Sequence, residues 1–257
     1  MTKKLRKFVQ EKVQEEEYGL LVTPAAREWL RKNADVRPEE GSALEESMLG
    51  VMRSTANNKR SGRFGASSRG TCLRRQVFAF LGMPQDGLGD WRLHNVFFDG
   101  HMRHLKWQLL GLDAGIFTDV EVQYKIPEMR LSVSLDAENH PEGWMFELKG
   151  AFNIPRFVPE NHNLQVHTCM LASGFERASY LVEDKKTQDF YEWVIHRDEA
   201  VIQQVVDELG VLNESVDKEE LPKVLPECKR QQGAYKTCPY AADCLGQKHW
   251  PEDGEWD

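Results

Sequence analysis

No stretch of this 257-residue chain comes near the roughly 18 consecutive apolar residues of a membrane-spanning helix. The chain is therefore read as having no membrane partner. The segment Met1-Thr2-Lys3-Lys4-Leu5-Arg6-Lys7 leads into Gln and Glu where a secretory leader would carry an apolar core, so the expectation is a cytoplasmic protein. There is no internal repeat. There is also no G-x-x-x-x-G-K-[ST] loop, so any ATP-driven step is left to a partner. Cysteine is scarce: the five residues include no close C-x2-C pair, which counts against a disulfide framework and a zinc ribbon and toward some other metal ligation. Acid is missing from Ser47 to Gln85. Elsewhere it is plentiful, and the net charge of −8 excludes a basic nucleic-acid coat protein. Seven Trp and an aromatic content of 10% argue against disorder across the whole chain.

The acid-free stretch holds Arg53, Lys59, Arg60, Arg63, Arg69, Arg74 and Arg75. Within it, Ser61 to Gly70 is rich in Gly and Ser and reads as a mobile loop. Such a segment can follow a phosphate backbone, which makes Arg60, Arg63, Arg69, Arg74 and Arg75 the nucleic-acid-binding candidates. It can equally be a solvated linker with incidental charge.

The first 60 or so residues look helical, with polar breaks at Asn33 and Gly41. Cys72 opens a helical run from Leu73 to Leu81, closed by Gly82, and a second helix is expected from Leu93 to Leu110, ended by Gly111. Period-two alternation marks strands at Thr118–Tyr124, Leu131–Asp136 and Trp144–Lys149. A helix from Leu164 to Ala172, strands Ala178–Val182 and Phe190–His196, and a helix Glu199–Leu212 follow, before an irregular tail with Cys. The fold class is α/β, or α+β: a mixed sheet flanked by helices. The expected divisions are a helical extension with a basic loop (1–65), a core (66–225) and a cysteine-bearing tail (226–257).

Glu138 to Gly143 is turn chemistry centred between Pro141 and Glu142, so the simplest register sets Asp136 opposite Glu147. Lys149, two residues on, shares the side of Glu147. Two adjacent carboxylates repel unless they share a proton or a cation, and a divalent metal is the natural cation. Removing either should then leave the fold intact. A nearby ammonium can orient a water or offset phosphate charge. The plain alternative is an exposed hairpin with an ordinary Glu/Lys pair.

Asp136 followed by Glu147-Leu148-Lys149 resembles the core motif of the PD-(D/E)XK nucleases, whose fold is a restriction-endonuclease-like mixed sheet. Gly100-x-x-x-His104 upstream and Gln165 downstream resemble the RecB-like branch. The residue four after Gln165, usually Tyr in that branch, is Cys169 here. Cys72 with Cys228, Cys238 and Cys244 resembles the four-cysteine iron–sulfur frame of CRISPR-adaptation RecB-like exonucleases and AddB-type nuclease domains, although Cys228-x9-Cys238 is longer than the usual interval. The likeness spans roughly residues 68–246.

The resemblance implies a Mg²⁺- or Mn²⁺-dependent DNA exonuclease of recombination, repair or end processing. His104, Asp136, Glu147 and the Leu148 carbonyl would hold the metal. Lys149 would position the attacking water, and Gln165 would hold Lys149 or the phosphate. A 4Fe–4S cluster on Cys72, Cys228, Cys238 and Cys244 would join the two ends of the core, with zinc or free thiols as the other readings of the tail. Its partners would be DNA ends, single- or double-stranded, and a helicase, recombinase or integrase-like protein. The competing function is an idle DNA-binding or scaffold subunit that keeps the cluster. His101 is the rival of His104, whereas His94, His140, His162, His167, His196 and His249 read as solvated or core residues.

Overall fold

The computed structural model describes residues 19–33, 46, 49, 62–85, 91–246 and 249–250. Most of the expected amino-terminal helical region and Arg60 lie outside these residues. Among the described residues, no helix is long and apolar enough to cross a membrane.

Helix α1 covers Thr23–Asn33, the residues just after it lying outside those described. Helix α2 (Leu73–Leu81) ends on Gly82, whose φ of 74° is the left-handed cap conformation that glycine adopts without a Cβ penalty. Helix α3 (Trp91–Asp113) is followed by β1 (Asp119–Ile126), β2 (Leu131–Asn139) and β3 (Trp144–Ala151). Then come α4 (Glu160–Ser173), β4 (Arg177–Asp184), β5 (Phe190–His196) and α5 (Glu199–Asp217), with two one-turn helices, α6 (Pro226–Lys229) and α7 (Ala241–Cys244), in the tail. The five strands form one sheet in sequence order. All neighbours are antiparallel except β3 and β4, which run parallel with α4 as the crossover between them. The expected mixed sheet flanked by helices is therefore the observed architecture.

Helix α3 runs past Gly111, contrary to expectation. A Cβ there would lie 2.0 Å from the Phe117 ring, so this glycine admits a close aromatic contact and does not end the helix.

Both faces of the sheet are covered. On one, Leu131, Val133, Met145, Tyr180 and Val182 pack against Leu164, Val166 and Met170 of α4 and against Ile202, Val205 and Leu209 of α5. On the other, Phe146, Leu148 and Leu181 pack against Trp107 and Leu110 of α3, with Val22 and Ala26 at the start of α1 completing the cluster. The Glu192 carboxylate of β5 accepts the backbone N–H groups of Leu21, Val22 and Thr23, satisfying donors that a helix start leaves free. A smaller cluster of Phe78, Met83 and Tyr240 docks the tail on α2.

The Gly/Ser segment, read as a mobile loop, is packed from Gly62 onward. Phe64 is buried, stacks on Phe80 with centroids 4.8 Å apart, and bridges Leu131 as a short parallel partner of β2. The buried ring, with the Phe64 N–H donating to the Arg130 carbonyl and the Ser132 N–H to the Phe64 carbonyl, holds this polar segment against β2.

Two of the arginines read as DNA contacts are also inside. The Arg69 guanidinium is buried 3.3 Å from Glu208, and burial lowers its pKa to about 10 despite that partner. Buried Arg74 donates to the Pro222 carbonyl at 2.9 Å and lies over the Phe78 ring. Neither can touch a phosphate backbone from there. Arg63 is exposed and Arg75 half-buried.

Candidate active site

The hairpin register is the one expected from its turn. Ala137 pairs with Phe146, Glu138 with Met145 and Asn139 with Trp144. Pairing stops one step short of Asp136 and Glu147, where β2 and β3 part. The Asp136 carboxylate fills the gap, its Oδ2 accepting the Leu148 N–H at 2.8 Å. Its other oxygen faces His104 Nδ1 of α3 at 3.1 Å. On β3, Glu147 is 2% exposed, and its Oε1 lies 2.6 Å from Lys149 Nζ and 2.6 Å from Gln165 Nε2 of α4. One sheet and two helices thus bring together His104, Asp136, Glu147, Lys149 and Gln165. His101, three residues before His104, is exposed.

The charges in this cluster are unequal. Burial opposes ionisation of Asp136, but His104, Lys149 and the Leu148 N–H hold its carboxyl below the usual range. Burial and the charge of Asp136 raise Glu147, against the pull of Lys149. Lys149 is itself raised, since Glu147 and Asp136 outweigh its burial. These two shifts pull opposite ways for one pair. The burial of Glu147 decides its direction, because Lys149 keeps 26% of its side chain in water. The Asp136 charge, against the cost of burial, raises His104 to about 9.

A folded-state value raised from 6.5 to about 9 means that the His104–Asp136 pair contributes its full stability below the unfolded pKa, and loses it as pH rises through about 9. Metal-free protein in a chelator should therefore become easier to unfold with urea between pH 7 and 10. In His104→Asn that part of the pH dependence should vanish. Equal slopes for the two proteins would sink the assignment.

Sequence reasoning missed a third carboxylate. Glu121 of β1 sits across from Asp136, and an oxygen of each lies with a His104 nitrogen in a group no wider than 4.8 Å. Glu121 has φ 52°, a left-handed conformation inside a strand. Gln108 of α3 donates both to Glu121 at 2.7 Å and to the Asp136 carbonyl at 2.9 Å, which fixes the carboxylate. Two carboxylates and an imidazole at this spacing fit a divalent cation with mixed oxygen and nitrogen donors. The visible signal was Glu121 at an alternate position of β1, but nothing in the sequence announces the left-handed residue.

His162, read as a solvated or core histidine, is half-buried and lies 2.5 Å from the hydroxyl of buried Tyr180. Burial and Lys149 lower it to about 4. Cys169 is buried, and its thiol is raised by burial and then by the charges of Glu147 and Asp136. It therefore packs beneath the site without opening to it.

The four remaining cysteines are near enough to act on one another's charge, with Cys72 at the start of α2. Burial raises the Cys228 thiol, with added effect from Cys72, Glu227 and Cys238. Burial also raises Cys244, opposed by Arg74 and reinforced by Cys72, Cys238 and Cys228. No three of their sulfur atoms lie within 4.8 Å of one another.

No family model matches the chain, and no curated protein matches it. Solved structures of similar shape include that of SSO0001, at 15% identity over 79% of this chain and 96% of that one, with a TM-score of 0.48. An alkaline exonuclease, LHK-Exo, from Laribacter hongkongensis is 15% identical over 68% of this chain and 93% of its own, with a TM-score of 0.45. A phage-related exonuclease from Haemophilus somnus is 12% identical over 57% and 79%, with a TM-score of 0.43.

Proposed function

We propose that this chain is a divalent-metal-dependent deoxyribonuclease that trims DNA from its ends in recombination, repair or end processing. One observation carries the reading: Asp136 and Glu147, both largely out of water, converge with His104 at 3.1 Å and Lys149 at 2.6 Å. Clustered buried charge is a poor device for stability, because desolvation offsets most of the attraction. It suits a site that must hold a cation and place a water.

The donors for Mg²⁺ or Mn²⁺ are Asp136, His104 and the carboxylates of Glu147 and Glu121, with the Leu148 carbonyl completing the set. The imidazole moves the preference toward Mn²⁺. A divalent ion held there would supply positive charge toward a phosphate and lower the pKa of a water. Lys149 offsets phosphate charge and orients the water, its ammonium kept protonated by Glu147 and Asp136. Gln165 holds Glu147 in place by its 2.6 Å hydrogen bond. Among the described residues, exposed Arg63 and half-buried Arg75 are the candidates of the basic stretch still open to a phosphate, with Arg60 lying outside them.

Cys72, Cys228, Cys238 and Cys244 form the proposed ligand set of a 4Fe–4S cluster. A single tetrahedral zinc with 2.3 Å bonds needs sulfurs about 3.8 Å apart. No three of the four sulfurs lie that close to one another, so the cluster proposal is carried by the order of the four cysteines in the chain.

The test is incubation of end-labelled single- and double-stranded DNA with Mg²⁺, Mn²⁺ or chelator. The label should be released as short products with either metal and retained in chelator. A fully folded, iron-replete protein that leaves both substrates whole in every metal would refute the reading.

A further inference from the structure

We infer that the loop after β3, residues 152–159, is a stacking platform for the unpaired bases of a single DNA strand entering the site. The inference rests on the nuclease reading above and assigns its substrate class. Phe152 is 63% exposed and Phe157 is 79% exposed. Such exposure is costly for large apolar rings unless something covers them. The loop starts three residues after Lys149 and ends at α4, the helix that carries Gln165.

Cations converge on the same place. Lys185 Nζ lies 5.6 Å from the centroid of the Phe152 ring, and its backbone N–H donates to the Ala151 carbonyl at 2.7 Å. A Cβ on Gly150 would meet Lys185 Cε at 2.9 Å and Arg103 Cδ at 3.2 Å, so both side chains lie directly over the residue next to Lys149. Arg156 is exposed between the two rings. The acids and the cations beside Phe152 are paired with one another. Asp99 pairs with Lys185 and Arg103, Glu183 pairs with Arg103 and Lys106, and Asp184 accepts the N–H groups of Lys186 and Thr187. A cleft of about 740 Å³ opens along the loop, lined by Arg156, Tyr191 and Trp193 and by the acids Asp184, Asp189 and Glu192, so the strand's phosphates must run on the Arg156 side of it.

Exposed rings interleaved with cations match a single strand, whose bases offer free faces and whose phosphates need charge. In a duplex those faces are covered by neighbouring bases, and rings beside the backbone gain nothing from them. Stacking is also indifferent to sequence, which suits an enzyme that trims any end.

The test measures binding of fluorescein-labelled oligothymidylate by anisotropy, with Ca²⁺ replacing the metals of cleavage. Parallel titrations use an abasic oligonucleotide of the same length. Loss of one stacked base costs roughly fivefold to a hundredfold in affinity. Phe152→Ala/Phe157→Ala should therefore bind oligothymidylate at least about tenfold more weakly than the native chain, and Phe152→Trp/Phe157→Trp should restore binding. The abasic strand should distinguish the three proteins little. Native affinity in the alanine pair, an equal loss on the abasic strand, or a native protein with no affinity for the oligothymidylate would each overturn the platform. Cleavage of end-labelled DNA by the native protein in Mn²⁺ separates the two readings. A protein that cleaves but binds without the rings loses only the platform, and one that binds through the rings but never cleaves loses only the nuclease assignment.

Discussion

Glu147→Gln is expected to fold at least as firmly as the native chain, within about 1 kcal/mol or better, while cleaving DNA about a thousandfold more slowly. The native carboxyl is raised by burial and by Asp136. Its charge is therefore a cost to the folded state at neutral pH, and an amide removes that cost. The amide can still accept the Gln165 bond through its own oxygen, and Lys149 keeps Asp136 as a counter-charge. What is lost is an anionic donor to the metal. The charge stabilisation that a metal provides is worth several kcal/mol, and each 1.36 kcal/mol is tenfold in rate.

Asp136→Asn should inactivate as thoroughly but also destabilise by about 1–3 kcal/mol, because Asp136 pairs with His104 and accepts the Leu148 N–H where the strands part. This corrects the expectation, drawn from repulsion alone, that either carboxylate can be removed without harm. Urea melts in chelator, run beside a cleavage assay in Mn²⁺, would check both. Equal stability losses in the two variants, or near-native cleavage in either, would contradict the site.

The second large effect belongs to the cysteines. Cys238→Ala is expected to bleach the brown colour of anaerobically purified protein, lower its melting temperature by about 10 °C and promote aggregation. Cys72 and Cys228 are separated by about 155 residues, and closing a loop of that order is worth about 4–5 kcal/mol through the unfolded ensemble alone. Metal–thiolate bonding present only in the folded state adds to it. For a chain of this size each kcal/mol moves the midpoint by about 2–4 °C. Cys169→Ala should stay brown, because that thiol packs beneath Gln165 in the core and not among the other four. Lys149→Ala should also stay brown, yet cleave poorly. Iron-free, colourless wild type that contains zinc would overturn the cluster.

Local patterning made much of this site legible. The turn centre at Pro141 and Glu142 set the register of Asp136 and Glu147, and alternation placed Leu131, Val133 and Leu135 in the core. His104 came from the resemblance of Gly100-x-x-x-His104 to a family motif and not from periodicity. The failures share a cause, in that each depended on a contact distant in sequence. Arg69 looked like a phosphate ligand until Glu208 of α5 proved to be its partner. The Gly/Ser loop looked mobile until Phe64 found Leu131. Glu121 was hidden by its backbone, since a left-handed residue breaks the alternation on which strand reading relies.

The docking of the tail on α2 sets an order of events during synthesis. Phe78 and Met83 are made early, whereas Tyr240, which closes over them, leaves the ribosome about 160 residues later. At 5–20 residues per second, that interval is roughly ten to thirty seconds. Throughout it the sheet can assemble and α4 can cross between β3 and β4, but the apolar end of α2 stays bare and Cys72 waits for its companions. The nascent chain therefore holds an apolar surface and a thiol uncovered at α2 until the tail arrives.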